Sequence, residues 1–384
     1  MIIDQLTLIL GFSIILLAII ALLTSPFRCK IKSQNRENIE TELPPISIII
    51  PTHDNFSELQ RNLPIFLCQK YAGSYQVIVV ADKGDHETED LMKRLMSEYN
   101  NLYATYLPDS SRYMSRIKLA ITLGVKAAKT DWISITDPTC RPADESWLAS
   151  WGQNMTDDTD FVMGYVALDN KTPAIWRFEH ALKANKCLRA GQRGKTWATN
   201  CQNIAFRKSH FMKGEGFRGN LQLIRGEYDF LANKYGRNNA TRIDIRRSSW
   251  LYEEEPSRKT WYNRKIYFRA SRPLLKGYMG NRLCTFFENM TLHLSFLASL
   301  ACGVFAGIMQ NWILLGCAFF SLLLLITGRT ILTSKAISHL DENLGKGSMF
   351  FLEMLLAWRN LRYKFCYIHA DKSDFTSHKL FHKS

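Results

Sequence analysis

The chain has 384 residues, enough for one large domain or two modest ones with a substantial core. Its 49 Lys and Arg against 35 Asp and Glu give a formal charge of +14, which suits a phosphorylated substrate or an acidic membrane face; with no helix-turn-helix, zinc-finger or aromatic RNA-binding pattern beside the charge, nucleic acid is not an expected partner. Nine cysteines lie scattered without a C-x-x-C pair or a zinc-type His/Cys spacing, which argues against a disulfide framework and for reduced thiols.

In chain order, the first feature is a charge-free apolar run over about residues 5–24, long enough to cross a hydrocarbon core of ~30 Å. No Lys or Arg precedes it, whereas Arg28, Lys30, Lys32 and Arg36 follow it. A cleaved secretory signal carries its positive charge first, so residues 1–25 are predicted to be an uncleaved anchor with a cytoplasmic C-terminal flank. A polar linker over 26–43 follows, closed by Pro44 and Pro45. Residues 46–50 are a nearly continuous apolar run, the mark of a strand buried on both faces. Helical spacing over 58–67, a strand over 76–80, a helix over 88–99, a strand over 102–107, a helix over 117–128 and a strand over 132–136 come next. That alternation predicts a doubly wound α/β layer.

Asp54, Asp82 and Asp137 each fall just after one of these strands. Open α/β sheets bind ligands in the crevice outside the carboxyl ends of their strands. A single aspartate at such a place is more often a turn or cap residue; three at equivalent places make a shared crevice the competing reading. Further on, two apolar stretches over roughly 290–309 and 312–327 are separated by Gln310 and Asn311, and read as a tight transmembrane hairpin over 286–330. Arg272, Lys276 and Arg282 precede it and Arg329 and Lys335 follow, so both flanks are expected in the cytoplasm. Residues 331–384 are expected to be a cytoplasmic or interfacial basic tail, in which 349–358 with Arg359, Arg362 and Lys364 lies on the membrane. Three spans therefore predict a multi-pass protein of the inner membrane, its domain over 44–280 on the cytoplasmic side.

Several stretches resemble the inverting family-2 glycosyltransferases, of the membrane-anchored bacterial type, whose catalytic domain has the nucleotide-sugar-binding GT-A fold. Ile46-Ser47-Ile48-Ile49-Ile50-Pro51-Thr52-His53-Asp54-Asn55 is similar to their first strand and the loop opening the nucleotide pocket. Val77-Ile78-Val79-Val80-Ala81-Asp82 followed by Thr88-Glu89 resembles the second strand, and Lys118-Leu119-Ala120 with Gly124-Val125-Lys126-Ala127-Ala128 the helix before the central strand. Trp132-Ile133-Ser134-Ile135-Thr136-Asp137, then Cys140-Arg141-Pro142, looks like the segment bearing the family's Asp-x-Asp. Asn200-Cys201-Gln202-Asn203-Ile204-Ala205-Phe206-Arg207-Lys208 resembles a later segment near donor and acceptor.

The resemblance implies a mixed GT-A-like sheet and inverting transfer from a nucleotide-sugar donor to a glycan or lipid-linked acceptor, with membrane lipids as neighbours. It assigns Pro51, Thr52, Asp54, Asp82, Lys118 and Asp137 to the donor, with Asp137 holding a divalent ion, Mg²⁺ or Mn²⁺. Three departures accompany it. Asp137-Pro138-Thr139 keeps only the first aspartate of the triplet. Arg225-Gly226-Glu227-Tyr228-Asp229-Phe230-Leu231 interrupts the family's acidic pair with Tyr228, leaving Asp229, which is preferred, or Glu227 as general base. Near Trp261-Tyr262-Asn263-Arg264-Lys265 the family's glutamine is absent, while Trp261, Arg264 and Lys265 with Asn203 remain candidates for acceptor or diphosphate contacts; a basic juxtamembrane stretch binding lipid phosphates is the equal alternative for 261–265. Because of these losses, an inactive membrane scaffold with the same fold is the alternative.

Overall fold

The computed structural model describes residues 4–28, 31, 42–108, 115–341 and 344–376. Lys30, Lys32 and Arg36, part of the basic flank read after the first span, lie outside the described residues, as do residues 377–384 of the tail. The chain opens with helix α1 (Gln5–Leu23) and continues as β1 (Ile46–Pro51), α2 (Phe56–Leu67), β2 (Tyr75–Asp82), α3 (His86–Glu98), β3 (Leu102–Leu107), α4 (Arg116–Ala127) and β4 (Trp132–Ile135). Next come β5 (Cys140–Pro142), α5 (Trp147–Gly152), β6 (Phe161–Met163), β7 (Val166–Leu168), α6 (Ala174–Gln192), β8 (Ile204–Arg207) and α7 (Lys208–Lys213). Helix α8 (Glu227–Tyr235), β9 (Thr241–Ile243), β10 (Leu251–Glu253) and α9 (Arg258–Ser271) precede the long closing helices α10 (Tyr278–Ile308), α11 (Trp312–Ile337) and α12 (Met349–His369).

Two compact units result, one made of Met1–Ile31, Ala174–Leu182 and Tyr278–Arg362, the other of Lys32–Pro173, Lys183–Gly277 and Tyr363–Ser384. The piece Ala174–Leu182, inside the stretch expected to be wholly catalytic, groups with the helical unit. There Phe178 packs near Phe27 and Arg177 reaches Asp341 at 3.4 Å.

In the helical unit, α1, α10 and α11 are each long and apolar enough to cross a membrane. Polar pairs fix their directions. Asn311 donates to Thr7 Oγ1 at 2.6 Å, Ser321 to the Ile14 carbonyl at 3.0 Å, and Arg329 to the Ala21 carbonyl at 2.8 Å. Residue numbers rise together along both helices, so α1 and α11 run parallel, with α10 returning between them in sequence. Where lipid offers no hydrogen bonds, such internal pairs satisfy the polar groups. Arg329 is buried and pairs with Glu353 of α12, Nε to Oε2 at 3.1 Å. Helix α10 starts a dozen residues before the predicted span, and α12 runs past Trp358 to His369.

In the other unit, a seven-stranded sheet has the order β3-β2-β1-β4-β8-β6-β9. Strands β1, β2, β3 and β4 are parallel, β8 is antiparallel to β4 and β6, and β9 is parallel to β6, which makes the sheet mixed. All six residues of β1 are buried, as a central parallel strand requires. Its one polar side chain, Ser47, is satisfied by Thr130 at 2.6 Å and Gln76 at 2.7 Å. Ser115 caps α4, and Gly124 lets that helix close onto β1, since a Cβ there would meet Ile49 at 2.6 Å. A small second sheet, β5-β10-β7, pairs Glu253 with Cys140.

Candidate active site

Strand β4 ends just before Asp137. Because β8 runs antiparallel to β4, the segment before β8 arrives at the same end of the sheet. The small sheet adds Glu253, three residues past Asp137 in its pairing with Cys140. Helix α8 begins at Glu227, after Gly226 at φ +99°, a left-handed turn where a Cβ would also meet Ser271 Cβ at 2.6 Å. These pieces surround a cavity of about 690 Å³, a size suited to a small ligand. Asp137, Glu227, Asp229 and Arg264, all anticipated from sequence, line it.

The two candidate bases differ sharply in their partners. The Asp229 carboxylate is 3% exposed. Its Oδ1 accepts from the backbone N–H of Thr199 at 3.0 Å and of Asn200 at 3.1 Å, and its Oδ2 from Arg272 Nε at 2.7 Å. Arg272 is itself buried and sits 3.9 Å from the Phe268 ring centre. Asp229 is thus tied into the wall of the cavity, which counts against the preference for it as base. Glu227 is 5% exposed; Arg225 approaches its Oε1 at 3.6 Å, and Oε2 is buried with no hydrogen-bond partner. A native buried carboxylate oxygen without a partner calls for a functional explanation. Burial and then the neighbouring charges of Asp137 and Glu227 push the Tyr228 phenol well above its ordinary range, so it is neutral, and it donates to the Thr136 carbonyl at 3.2 Å.

The Asp137 Oδ1 accepts from the Thr139 backbone at 3.1 Å and from its hydroxyl at 2.8 Å, a local turn that leaves Oδ2 open. Both Glu253 oxygens are held by Arg264, Oε2 at 3.0 Å and Oε1 at 2.5 Å. Burial opposes the Arg264 charge, but Glu253 overcomes it and raises the guanidinium above its usual value. Among the described residues no group of three or more His, Cys, Asp or Glu gathers to hold a metal ion. Asp137 Oδ2 remains as a hard oxygen donor in an acid-rich cavity, which also holds Glu58, Glu254 and Glu255. This set fits a divalent ion that brings much of its coordination in phosphate and water oxygens.

Several anticipated residues sit elsewhere. Pro51, Thr52, Asp54, Asp82, Lys118, Asn203, Trp261 and Lys265 are not among the residues lining the cavity. Asp82 is engaged by His53 and by Arg116 Nε at 2.9 Å, and Asp54 has φ +55° with its side chain in solvent. Lys118 is fully buried and donates to the Asn220 carbonyl at 2.5 Å, Asn220 Oδ1 at 2.7 Å and the Leu223 carbonyl at 2.5 Å. Burial brings its ammonium down to about 8, with Glu227 partly opposing that fall. Asn203 bridges the carbonyls of Tyr165 at 3.2 Å and Ser249 at 3.0 Å. Lys265 is buried with its ammonium 3.7 Å from the Trp261 ring centre. Sequence reasoning passed over Arg225, Glu253, Glu254 and Glu255. The acidic run over 253–255 closes β10, a strand of three residues too short to be read from the sequence, so the strand-end rule had no strand to start from.

No curated protein sequence matches the chain significantly. Among solved structures, the mannosyltransferase PcManGT from Pyrobaculum calidifontis, in complex with GDP-Man and Mn²⁺, is 15% identical, with 92% of this chain and 98% of that one covered at a TM-score of 0.51. S. aureus TarS 1–349 in complex with UDP-GlcNAc is 13% identical, covering 84% of this chain and 92% of its own at 0.43. The first likeness shows a GT-A-like fold. Where the residues suggested family 2, the family whose model matches is glycosyl transferase family 21, over residues 12–373. That match spans nearly the whole sequence, and the protein is a glycosyltransferase belonging to family 21.

Proposed function

We propose that the protein transfers a sugar, with inversion, from a nucleotide-sugar donor to a glycan or lipid-linked acceptor at the cytoplasmic face of the inner membrane. The observation that carries this reading is the unpartnered, buried Oε2 of Glu227 in the cavity that Asp137 also lines. Arg225 engages Oε1, so Oε2 is the atom left to take the acceptor's hydroxyl proton. As that proton moves to Glu227, the hydroxyl oxygen bonds to the anomeric carbon. The bond from that carbon to the diphosphate breaks, and the electron pair leaves with the phosphate. A divalent ion held by Asp137 Oδ2 would offset the charge growing on the diphosphate. Asp229 with Arg272 holds the Thr199–Asn200 wall in shape.

The parallel course of α1 and α11 supports the orientation, because it sets Arg28, beyond the C-terminal end of α1, and Lys335, in the last turn of α11, on one side of a bilayer. The GDP-Man and Mn²⁺ of the mannosyltransferase make guanosine diphosphate sugars the first donors to test, with uridine diphosphate sugars beside them in the panel. The purified protein in detergent is offered a panel of these with Mn²⁺ or Mg²⁺, and nucleoside diphosphate release is followed. Turnover that falls at least a hundredfold in Glu227→Gln is expected; turnover unchanged by that variant would sink the assignment.

A further inference from the structure

The segment between α7 and α8, residues 214–226, delivers Arg225 and Glu227 to the cavity. It is rich in left-handed backbone, with φ of +55° at Glu215, +54° at Gly216, +95° at Gly219 and +99° at Gly226. Such a segment needs anchors to hold one shape. Lys234 supplies one at the Gly216 carbonyl, 2.8 Å, and Lys118 supplies another at Asn220 and Leu223. The last anchor before Arg225 comes from the far end of the chain. Leu223 forms an antiparallel bridge with Thr376, and the Ile224 N–H donates to the Phe375 carbonyl at 3.0 Å.

The Phe375 side chain is 6% exposed. It meets Tyr267 edge-on, ring centres 5.6 Å apart, and Tyr367 at 5.4 Å. Tyr267 lines the cavity. Lys372 stacks on Tyr367 at 3.6 Å, tying the short turn Lys372–Phe375 to the helix before it. One residue therefore joins two walls of the cavity, the entry to α8 through its carbonyl and α9 through its ring.

We propose that Phe375 is a positioning residue: the C-terminal turn braces the Arg225–Glu227 stretch and sets where Glu227 meets the acceptor. The proposal rests on Glu227 as the base, and the test separates the two ideas. Asp137 lies on a different part of the frame, after β4, so donor binding does not depend on the brace.

Hydrogen exchange of the full-length protein in detergent, read by mass spectrometry, is compared between wild type, Phe375→Ala and Phe375→Leu. In Phe375→Ala the amides of 223–227 are expected to exchange roughly tenfold faster or more, since the ring that covers the Ile224 hydrogen bond and holds the turn against Tyr267 and Tyr367 is lost. Those of β1 should stay as in wild type. With the sugar nucleotide found active in the donor panel, kcat should drop at least tenfold at unchanged donor KM. Phe375→Leu, which keeps the apolar cover, should recover most of both. Unchanged exchange at 223–227, or faster exchange with wild-type kcat, overturns the proposal. If β1 also loosens in the Ala variant, the Leu variant decides by the same two readings. If wild type turns over no sugar nucleotide, the functional reading falls, while the exchange comparison still tests the brace.

Discussion

Exchanging the charge of Asp229 for an amide is expected to damage the fold, whereas the same exchange at Glu227 is expected to damage the chemistry. In Asp229→Asn the amide oxygen still accepts from Thr199 and Asn200, but its NH₂ faces the Arg272 Nε–H that now points at Oδ2 from 2.7 Å. Arg272 is 6% exposed, so its buried charge loses the Asp229 carboxylate. Removing one partner of a buried ion pair costs about 3–5 kcal/mol. For a unit of this size each kcal/mol moves the melting temperature by roughly 2–4 °C, so a fall on the order of 10 °C is expected. In Glu227→Gln no hydrogen bond to Oε2 is lost, because none exists. Stability should change by less than ~1 kcal/mol, while losing a general base costs ~10²–10⁴ in rate, or about 3–5 kcal/mol of barrier. Tryptophan-monitored thermal unfolding in detergent, run beside turnover of both variants, gives the comparison. An Asp229→Asn protein that melts like wild type yet has lost transfer, next to a Glu227→Gln protein with full activity, would return the base to Asp229.

Asp137→Asn should weaken nucleotide-sugar binding measured by calorimetry, and equal affinity for wild type and variant would remove Asp137 from the diphosphate. Thr139→Asp removes the hydroxyl bond to Asp137 Oδ1 and adds a hard anionic ligand, so activation by Mn²⁺ should steepen; a flat metal response counts against a metal at this place. Lys118, brought down to about 8 by burial from an ordinary 10.5, is deprotonated in the folded chain where the unfolded chain still holds its proton. Its contribution to stability therefore rises as pH goes from 8 to 10.5, by up to roughly 3 kcal/mol. The stability of wild type relative to Lys118→Met should grow across that window, and a constant difference would contradict the buried ammonium. Reporters inserted near Ser33 and fused after Ser384 should both read cytoplasm; a signal from the opposite side for the first would reverse the orientation.

Local patterns in the sequence carried most of the sheet and the helices. The run Ile46–Ile50 has no polar face to offer water, so it could only be an inner strand, and all of β1 is buried. The apolar lengths of α1, α10 and α11 had the same force, because an uncharged stretch of that length has few other places to go. The start of α10 was less legible: residues 278–289 mix charged and aromatic side chains, and a juxtamembrane helix of that kind has no single period. The pieces of the small second sheet, three residues each, are too short to show any alternation.

Carboxylate roles depend on partners far away in sequence, and there local reading reaches its end. Glu227 and Asp229 stand in the same first turn of α8, with the same helix dipole and nearly the same burial. What divides them is Arg272, 43 residues on, which claims Asp229 and leaves Glu227 Oε2 without a partner. Lys118 tells the same story: the family resemblance assigns it to the donor, but Asn220 and Leu223, more than a hundred residues later, take all its protons. A charged side chain buried among neutral carbonyls and one poised for substrate have the same one-letter code. The difference between them is a count of hydrogen-bond partners, which only the folded chain supplies. The carboxylate with a buried oxygen left over is accordingly the better candidate for chemistry than the one with both oxygens engaged, and by that measure Glu227 rather than Asp229 is the base we propose.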